Sequence, residues 1–284
     1  MKRENKIKLI NQILLIILII KYLLVIIFIK NNSYFKGVVI CSIVKLENLY
    51  IKEFVDYYKN LGIKKIFLYD NNDKNGENFN EILKEEIKSK FVKIINIRGR
   101  SKYQIPSYNH CYQKNLNHYS WFLFIDIDEF LFINNNTLSD FLNNQKFKNC
   151  DNIHINYKDF GDSDLLSYDN RTLVKRFNKN YRYSSSMKSF VRGRLKNAKM
   201  NIHRSYNIKN FCNSEGQPEN PGEYFTNSFT NKSAIINHYI TKSTEEFYNR
   251  LIKGWPHVKY NSLDYYNFVD DRIRIYFDLN EVTK

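Results

Sequence analysis

Residues that interrupt or loosen a folded chain are scarce in this sequence. Only 9 glycines and 4 prolines occur among 284 residues, which excludes a collagen-like chain and Pro/Gly-rich disorder. The four cysteines include no Cys-x-x-Cys pair, and this argues against a zinc knuckle. Cys41 stands in an apolar run, which predicts a buried thiol. Cys150 and Cys212 could form a disulfide in an oxidising compartment, but their spacing alone does not establish one.

Acidic residues are also few, with 29 Asp and Glu against 44 Lys and Arg, so the net charge is +15. Such a balance attracts polyanions, which include nucleic acid, anionic lipid and phosphorylated sugars. The lysines are spread along the chain instead of forming one patch, so no nucleic-acid partner is expected. Hydrophobic residues make up 43% of the chain, with 22 Tyr and 21 Phe, enough to build a sizeable core.

One long hydrophobic run is present, over residues 13–29, interrupted by Lys21. Its length suits a bilayer-spanning helix, and the surrounding apolar side chains offset the roughly 3 kcal/mol that a central lysine costs. Basic residues before the run place the N-terminus in the cytosol by the positive-inside rule. We therefore predict a single-pass type II membrane protein with a lumenal, Golgi- or ER-like, catalytic domain. A cleaved signal peptide is the alternative, but no A-x-A-like site follows the run.

These features divide the chain into a tail, anchor and short stem over residues 1–33 and a folded domain over residues 34–284. In the folded domain, apolar runs that predict strands alternate with helical spacing. The predicted strands are 38–44, 65–70, 91–97 and 121–125, and the predicted helices are 49–61, 79–88 and 105–116. This alternation predicts an α/β domain with a mostly parallel sheet and helices on both faces. Beyond residue 150 the alternation weakens, and a last helix is expected near 244–253.

Three carboxylates directly follow the last of these strands, at Asp126, Asp128 and Glu129. Ligands of parallel α/β sheets bind beyond the carboxyl ends of the strands, so the acids are expected to face a cleft. In an extended chain Asp126 and Asp128 point to one face. Hard oxygen ligands at that spacing suit Mg²⁺ or Mn²⁺. The alternative is a surface turn with solvated acids.

Four segments together resemble glycosyltransferase family 92 and related family-2-like enzymes of the GT-A fold. The first is Cys-Ser-Ile-Val-Lys-Leu-Glu-Asn at 41–48, continued by Leu-Tyr-Asp-Asn-Asn at 68–72. The second lies at 104–111, and the third is the acidic motif at 121–130. The fourth is Asn-His-Tyr-Ile-Thr-Lys at 237–242, followed by Ser-Thr-Glu-Glu-Phe at 243–247. Their order and spacing carry the resemblance.

The resemblance implies a Rossmann-like GT-A domain that transfers a sugar, with inversion, from a UDP- or GDP-type donor to a hydroxyl of a glycan or glycoconjugate. It implies Mn²⁺ or Mg²⁺, held by Asp126, Asp128 and His238. The donor-binding residues that it implies are Lys45, Glu47, Asp70, Asn71, Gln104, Asp126 and Lys242. Arg250 and Lys253 could contact the diphosphate. The alternatives are a packed core histidine for His238 and ordinary ion pairs or a solvated helix face for the charged residues.

Two features depart from the family pattern. Phe160-Gly161 is followed by Asp162, Ser163 and Asp164, and Lys253 stands where relatives often have arginine. The catalytic base is undecided, with Glu215, Glu245, Glu246 and Asp162 as candidates. Two other functions remain possible readings of the sequence. They are a metal-dependent phosphohydrolase or nuclease, and a catalytically inactive membrane-anchored glycan-binding protein.

Overall fold

The computed structural model describes residues 12–23, 35–253 and 263–280. The chain is divided into two compact units, Met1–Lys36 and Gly37–Lys284. The first unit contains helix α1 (residues 12–23), whose apolar side chains are about half exposed, from 45% at Ile17 to 63% at Leu18. Within the described parts of the chain, no helix has the length and apolar character needed to cross a membrane. Residues 24–29 of the predicted anchor lie outside the described residues.

The second unit alternates strands and helices up to the acidic motif. This half contains β1 (Val38–Val44), α2 (Ile51–Asn60), β2 (Lys65–Asp70), α3 (Lys84–Lys88), β3 (Val92–Asn96), α4 (Gln104–Asn115) and β4 (Trp121–Phe124). The remainder contains β5 (Glu129–Ile133), α5 (Leu138–Asn143), β6 (Asn152–Phe160), α6 (Leu173–Arg176), β7 (Tyr181–Arg192), β8 (Phe211–Cys212), β9 (Ala234–His238), α7 (Thr244–Lys253) and α8 (Leu263–Asn280). A short 3-10 turn, Gln145–Phe147, follows α5.

All nine described strands join one mixed sheet, in the order β3-β2-β1-β4-β7-β6-β9-β5, with β8 paired to β6. The pairs β1–β2, β2–β3, β1–β4, β6–β9 and β6–β8 are parallel, whereas β4–β7, β6–β7 and β5–β9 are antiparallel. The predicted mixed, mostly parallel α/β sheet is therefore confirmed. Because β7 is antiparallel to both of its neighbours, β4 and β6 run in the same direction. The carboxyl ends of β1, β2, β3, β4, β6 and β9 consequently meet at one edge of the sheet.

Helix α2 packs against the start of β5, directly after the acidic motif. Its buried residues Ile51, Phe54, Val55 and Tyr58 recur at helical spacing, which forms one apolar stripe. The Tyr58 hydroxyl donates to the Glu129 carbonyl and accepts from Leu131 N, both at 2.9 Å. The backbone at the start of β5 is therefore bonded to a helix and not only to its partner strand.

Two disulfides cross-link the domain. Cys41 of β1 is bonded to Cys111 of α4, so the prediction of a buried free thiol at Cys41 is wrong. The Cys150–Cys212 disulfide considered from the sequence is present. Cys41 and Cys111 are 70 residues apart and meet because α4 packs on the sheet beside β1. A sequence pattern that places Cys41 in a strand does not show which helix covers that strand.

Two predicted helices differ from the structure. The helix expected over 79–88 begins only at Lys84, because the Asn78 side chain accepts from Asn80 N and forms a local turn instead. Helix α7, at 244–253 as expected, is not the last helix, because α8 follows it. Helix α8 is tied to the domain by Tyr276, whose hydroxyl donates to Asp162 at 2.5 Å, and by Asn280, which accepts from Asp162 N at 2.9 Å.

Candidate functional site

The acidic motif forms a tight turn at the carboxyl edge of the sheet, between β4 and β5. The Asp126 amide donates to Glu129 Oε2 at 3.0 Å, and the Glu129 amide donates to the Asp126 carbonyl at 3.2 Å. The exposed fraction of the side chain is 35% for Asp126, 10% for Asp128 and 3% for Glu129. Only Asp126 therefore reaches far toward solvent, while the other two carboxylates are buried beneath it.

Asp128 faces His238, which ends strand β9. The two side chains approach to 4.0 Å between His238 Nε2 and Asp128 Oδ2. On its other side, His238 Nδ1 lies 2.8 Å from Asp159 Oδ1, in β6. A carboxylate at one ring nitrogen fixes the tautomer and orientation of a metal-binding histidine. The arrangement of Asp159, His238 and Asp128 therefore suits a divalent cation held between Nε2 and the Asp128 carboxylate.

The described residues offer one group of acids and histidine with ligand atoms close enough to share an ion: Asp128, Glu129 and His238, all within 4.8 Å. The structure thus brings together Asp128 and His238 as predicted, but with Glu129 and not Asp126. Both oxygens of Glu129 already accept hydrogen bonds, from the Tyr157 hydroxyl at 2.8 Å and from Asp126 N. Carboxylate and imidazole ligands fit Mn²⁺ or Mg²⁺. One oxygen of Asp128 likewise accepts a hydrogen bond, from Arg250.

Basic side chains surround the Asp128 carboxylate. Arg250 of α7 donates from Nη1 to Asp128 Oδ2 at 2.5 Å and to the Ile240 carbonyl at 3.2 Å. Burial alone would raise the pKa of Asp128, but Arg250, His238 and Lys242 together hold that pKa far below its usual range. Asp128 is therefore ionised at any physiological pH. Burial works against a charge on His238, yet its contacts with Asp159 and Asp128 raise the pKa of this histidine.

Lys242 is another positively charged side chain near Asp128. Its Nζ is 3.7 Å from the centre of the Tyr50 ring and 4.0 Å from Glu47 Oε2. Its backbone has φ +59°, a left-handed conformation that is rare for a side chain of this size. Such strain persists only where surrounding contacts impose it, and it is common at functional sites. Glu47 and Lys242, two of the predicted donor-binding residues, thus lie close to each other, and Lys242 is near enough to Asp128 to lower its pKa.

Asp126 makes a different set of contacts. Its Oδ2 lies 2.9 Å from Lys188 Nζ, and its Oδ1 accepts from the Tyr108 hydroxyl at 3.3 Å and from Gln104 Nε2 at 3.4 Å. Lys188 is also 3.7 Å from Glu129 Oε2. Burial raises the pKa of Glu129 although Lys188 opposes this shift. Gln104 and Asp126, two of the predicted donor-binding residues, therefore contact each other.

The remaining predicted donor-binding residues form a separate network after β2. Asp70 is buried, with Oδ2 accepting from Arg98 Nε at 2.7 Å and Oδ1 accepting from the Asn72 side chain at 2.8 Å. The Asn71 side chain donates to the Arg100 carbonyl at 2.8 Å, and Lys45 pairs with Asp73 at 3.2 Å. These contacts fix the loop beyond β2 at the same sheet edge as the acidic turn, without contacting the turn.

None of the four candidate bases belongs to the acidic turn and its bonded partners. Glu246 is buried against Arg176 at 2.6 Å, and Glu215 accepts from Ser233 Oγ at 2.7 Å. Glu245 accepts from the Tyr168 amide at 2.9 Å. Asp162 accepts from Tyr276 and follows the end of β6, the strand that carries Asp159. Asp162 lies three residues after Asp159, the residue that contacts His238.

Sequence reasoning missed Asp159, Glu129 as a neighbour of His238, and Lys188. Glu129 was visible as the third acid of the motif. Asp159 stands in a strand beyond residue 150, where the alternation is weak and no motif marks it. Lys188 is one lysine among many in a lysine-rich chain. Its signal was its position in a strand with apolar neighbours, Met187 and Phe190, which favours burial of the whole segment.

The fold and the site define an α/β domain that gathers carboxylates, a histidine and several cations at the carboxyl edge of a mixed sheet. The family model for glycosyltransferase family 92 matches residues 36–274. The chain therefore belongs to glycosyltransferase family 92, and the resemblance drawn from the four segments is confirmed.

Individual relatives match shorter parts of the chain. A family 92 protein of Oryza sativa subsp. japonica is 31% identical over 110 residues, 38% of this chain and 18% of that protein. One of Ricinus communis is 27% identical over 129 residues, 44% and 23% of the two chains. The chain thus matches less than a quarter of the length of these relatives. Among solved structures, S. aureus TarS has a TM-score of 0.41 at 12% identity, covering 87% of this chain and 44% of TarS. TarS 1–349 in complex with UDP has a TM-score of 0.38 at 16% identity, covering 56% and 47%.

Proposed function

We propose that this protein is a metal-dependent glycosyltransferase that moves a sugar from a UDP- or GDP-sugar to a hydroxyl of a glycan or glycoconjugate, with inversion. Membership of glycosyltransferase family 92 supports the reaction class. The observation that carries the metal dependence is the placement of His238 between Asp159 at 2.8 Å and Asp128 at 4.0 Å, and the donor, the acceptor and the inversion follow from the family resemblance. An oriented imidazole beside an ionised carboxylate suits a divalent cation, and a cation at this edge of the sheet would suit a nucleoside diphosphate.

In this proposal the residues have separate roles. Asp128 and His238 would hold Mn²⁺ or Mg²⁺, which when bound supplies positive charge to the leaving diphosphate. Arg250 and Lys242 add positive charge near Asp128. Asp126 and Gln104 offer hydrogen bonds to donor hydroxyls, and Glu47 lies beside Lys242. Asp70, Asn71 and Lys45 shape the loop after β2, where the resemblance places the nucleoside.

The acceptor hydroxyl must lose a proton as it attacks the anomeric carbon in a single displacement. Asp162 is our candidate for the base, because it follows the end of β6 at the same sheet edge as Asp159 and His238. Its two oxygens accept from Asp164 N and from the Tyr276 hydroxyl. These bonds fix the carboxylate, and the acceptor would have to approach one of its remaining lone pairs.

We also propose that the domain faces an oxidising compartment across a membrane, as a type II protein. The two disulfides support this placement, because such bonds persist in oxidising compartments and are rare in the cytosol. The hydrophobic run over residues 13–29 and the basic residues before it support the orientation.

The function is tested by incubating the purified protein with a panel of UDP- and GDP-sugars in the presence of Mn²⁺, Mg²⁺ or EDTA. Release of the nucleoside diphosphate from one donor, dependent on the metal and increased by a glycan acceptor, is the expected result. Cleavage of simple phosphate esters or nucleic acid without sugar transfer would instead indicate a phosphohydrolase or nuclease. A glycan-binding protein without activity would release no nucleoside diphosphate from any donor.

A further inference from the structure

Lys188, in the middle of β7, is one of the largest fully buried side chains in the described domain, with 1% of the side chain exposed. Removing an ammonium group from water costs several kcal/mol unless it is paired and hydrogen-bonded. Here it is paired with Asp126 Oδ2 at 2.9 Å and lies 3.7 Å from Glu129 Oε2. The two carboxylates that Lys188 contacts offset the cost of burying its charge, and both belong to the acidic turn.

The strand pairing brings Lys188 to this position. Leu123 of β4 is paired with Phe190 of β7. Lys188 lies two residues before Phe190, and because the pairing is antiparallel it stands where β4 ends and the acidic turn begins. The register of β6 and β7 shifts just beyond it, between the pairs Asn156–Met187 and Tyr157–Ser184. A bulge of this kind bends a strand and redirects its side chains. The contact between Lys188 and Asp126 is therefore built into the central pairing of the sheet.

Contacts from three elements act together on the turn. Lys188 from β7 holds Asp126 Oδ2, while Tyr108 and Gln104 from α4 hold Asp126 Oδ1. Tyr157 from β6 holds Glu129 Oε1. The Asp126 side chain nevertheless remains 35% exposed, so a carboxylate with a fixed orientation faces solvent.

We propose, on the basis of the proposed function, that Lys188 is a positioning residue that orients Asp126 toward a hydroxyl of the nucleotide-sugar donor. The ammonium acts through Asp126 and does not itself contact the donor. A second role, balancing the charge of Asp126 and Glu129, is purely structural. The experiment must separate the two roles.

The matched variants are K188M, E129Q and the double variant K188M/E129Q. K188M leaves the buried Glu129 carboxyl group without the ammonium group that it faces at 3.7 Å, and in K188M/E129Q a neutral amide replaces that carboxyl group. We expect K188M to melt at a lower temperature and the double variant to recover most of that loss. The donor KM should nevertheless be at least ~10-fold higher in K188M/E129Q than in E129Q, the lower limit typical of lost orienting contacts, with a smaller change in kcat.

The control is K158M, in the same strand pair. Tyr157 and Asp159 of β6 contact Glu129 and His238, so Lys158 between them points to the opposite face of the sheet, where its Nζ lies 3.6 Å from the centre of the Tyr181 ring. K158M should keep the wild-type donor KM. Equal donor KM values for K188M/E129Q and E129Q would overturn the positioning role. A wild-type protein that turns over no donor would overturn the proposed function, and this inference with it.

Discussion

At the scale of single residues, the charge on Asp128 is central to the proposed chemistry. Asp128→Asn keeps the shape of the side chain and removes the charge that would hold a cation beside His238. Turnover should fall at least ~100-fold, which corresponds to about 2.7 kcal/mol at roughly 1.36 kcal/mol per decade. The measurement is the steady-state rate of nucleoside diphosphate release at saturating Mn²⁺.

The Asp128→Asn protein must be shown to fold, because Arg250 loses the negative charge that it contacts at 2.5 Å. Arg250 is 30% exposed and can turn toward water, so the fold should survive. Near-normal metal-dependent transfer by a folded Asp128→Asn protein would rule out Asp128 as a metal ligand.

A second residue-scale prediction concerns His203 and pH. Burial, reinforced by the charge of Lys188, lowers the pKa of His203 to about 4, whereas an unfolded histidine titrates near 6.5. Folding therefore favours the neutral ring. The stability that His203 contributes is complete above about pH 6.5 and is lost as the pH falls from there toward 4. At roughly 1.36 kcal/mol per pH unit, the loss between pH 6.5 and 5 is at most about 2 kcal/mol.

His203→Asn is the matched variant, because its amide can replace the hydrogen bond from Nδ1 to the Met187 carbonyl at 2.9 Å. Urea unfolding at pH 7 and pH 5 should show a smaller loss of stability in His203→Asn than in the wild type. The raised pKa of His238 acts in the opposite sense but is common to both proteins. Parallel pH dependence of the two proteins would show that His203 is already solvated in the native state.

At the scale of elements, Glu246 joins three segments near the site. Its carboxylate accepts from Arg176 of α6 at 2.6 Å, from the Tyr50 hydroxyl at 2.5 Å and from Ser243 Oγ at 2.6 Å. Arg176 and Glu246 side chains are 1% and 4% exposed. Glu246→Gln should destabilise the domain by about 3–5 kcal/mol, because it leaves a buried guanidinium without a counter-charge.

The control is Glu245→Gln on the same helix, at an exposed position that accepts from the Tyr168 amide. Denaturant unfolding should show a change below about 1 kcal/mol there. Activity per folded molecule decides whether Glu246 has a catalytic role as well. A Glu246→Gln protein with wild-type stability would contradict the structural role assigned here.

At the scale of the whole molecule, the predicted boundary between residues 33 and 34 can be tested directly. The structure divides the chain after Lys36, and every strand of the described sheet follows that point. A protein of residues 34–284 should therefore be soluble and unfold cooperatively once both disulfides have formed. Calorimetry is the measurement, and persistent aggregation without a thermal transition would place the boundary elsewhere.

The orientation across a membrane is the second prediction at this scale. In sealed microsomes a tag on the N-terminus should be digested by added protease, while the domain after residue 34 should be protected. Non-reducing peptide mapping of the protected fragment should recover Cys41–Cys111 and Cys150–Cys212 as disulfides. A protected N-terminal tag, or four reduced cysteines, would argue against the type II orientation.

Local patterns were sufficient for the first half of the domain. Apolar runs, helical spacing and the acids after Trp121–Phe124 predicted the parallel strands, the helices between them and the edge where the site lies. These features are encoded within windows of about ten residues, because strand burial and helix amphipathicity repeat at fixed short periods. The same local pattern made Asp128 a candidate metal ligand, whereas His238 was a candidate only through the resemblance to the family, and both stay predictions.

Only the tertiary structure decided which residues meet across the sheet. Asp159 lies beside His238 because β6 pairs with β9, and Lys188 lies beneath Asp126 because β7 runs antiparallel between β4 and β6. Cys41 meets Cys111 because α4 packs on β1. Each pair is 62 to 79 residues apart in sequence, and such contacts depend on strand order and register. No local period in the sequence records strand order, so the partners of the predicted site residues could be known only from the folded chain.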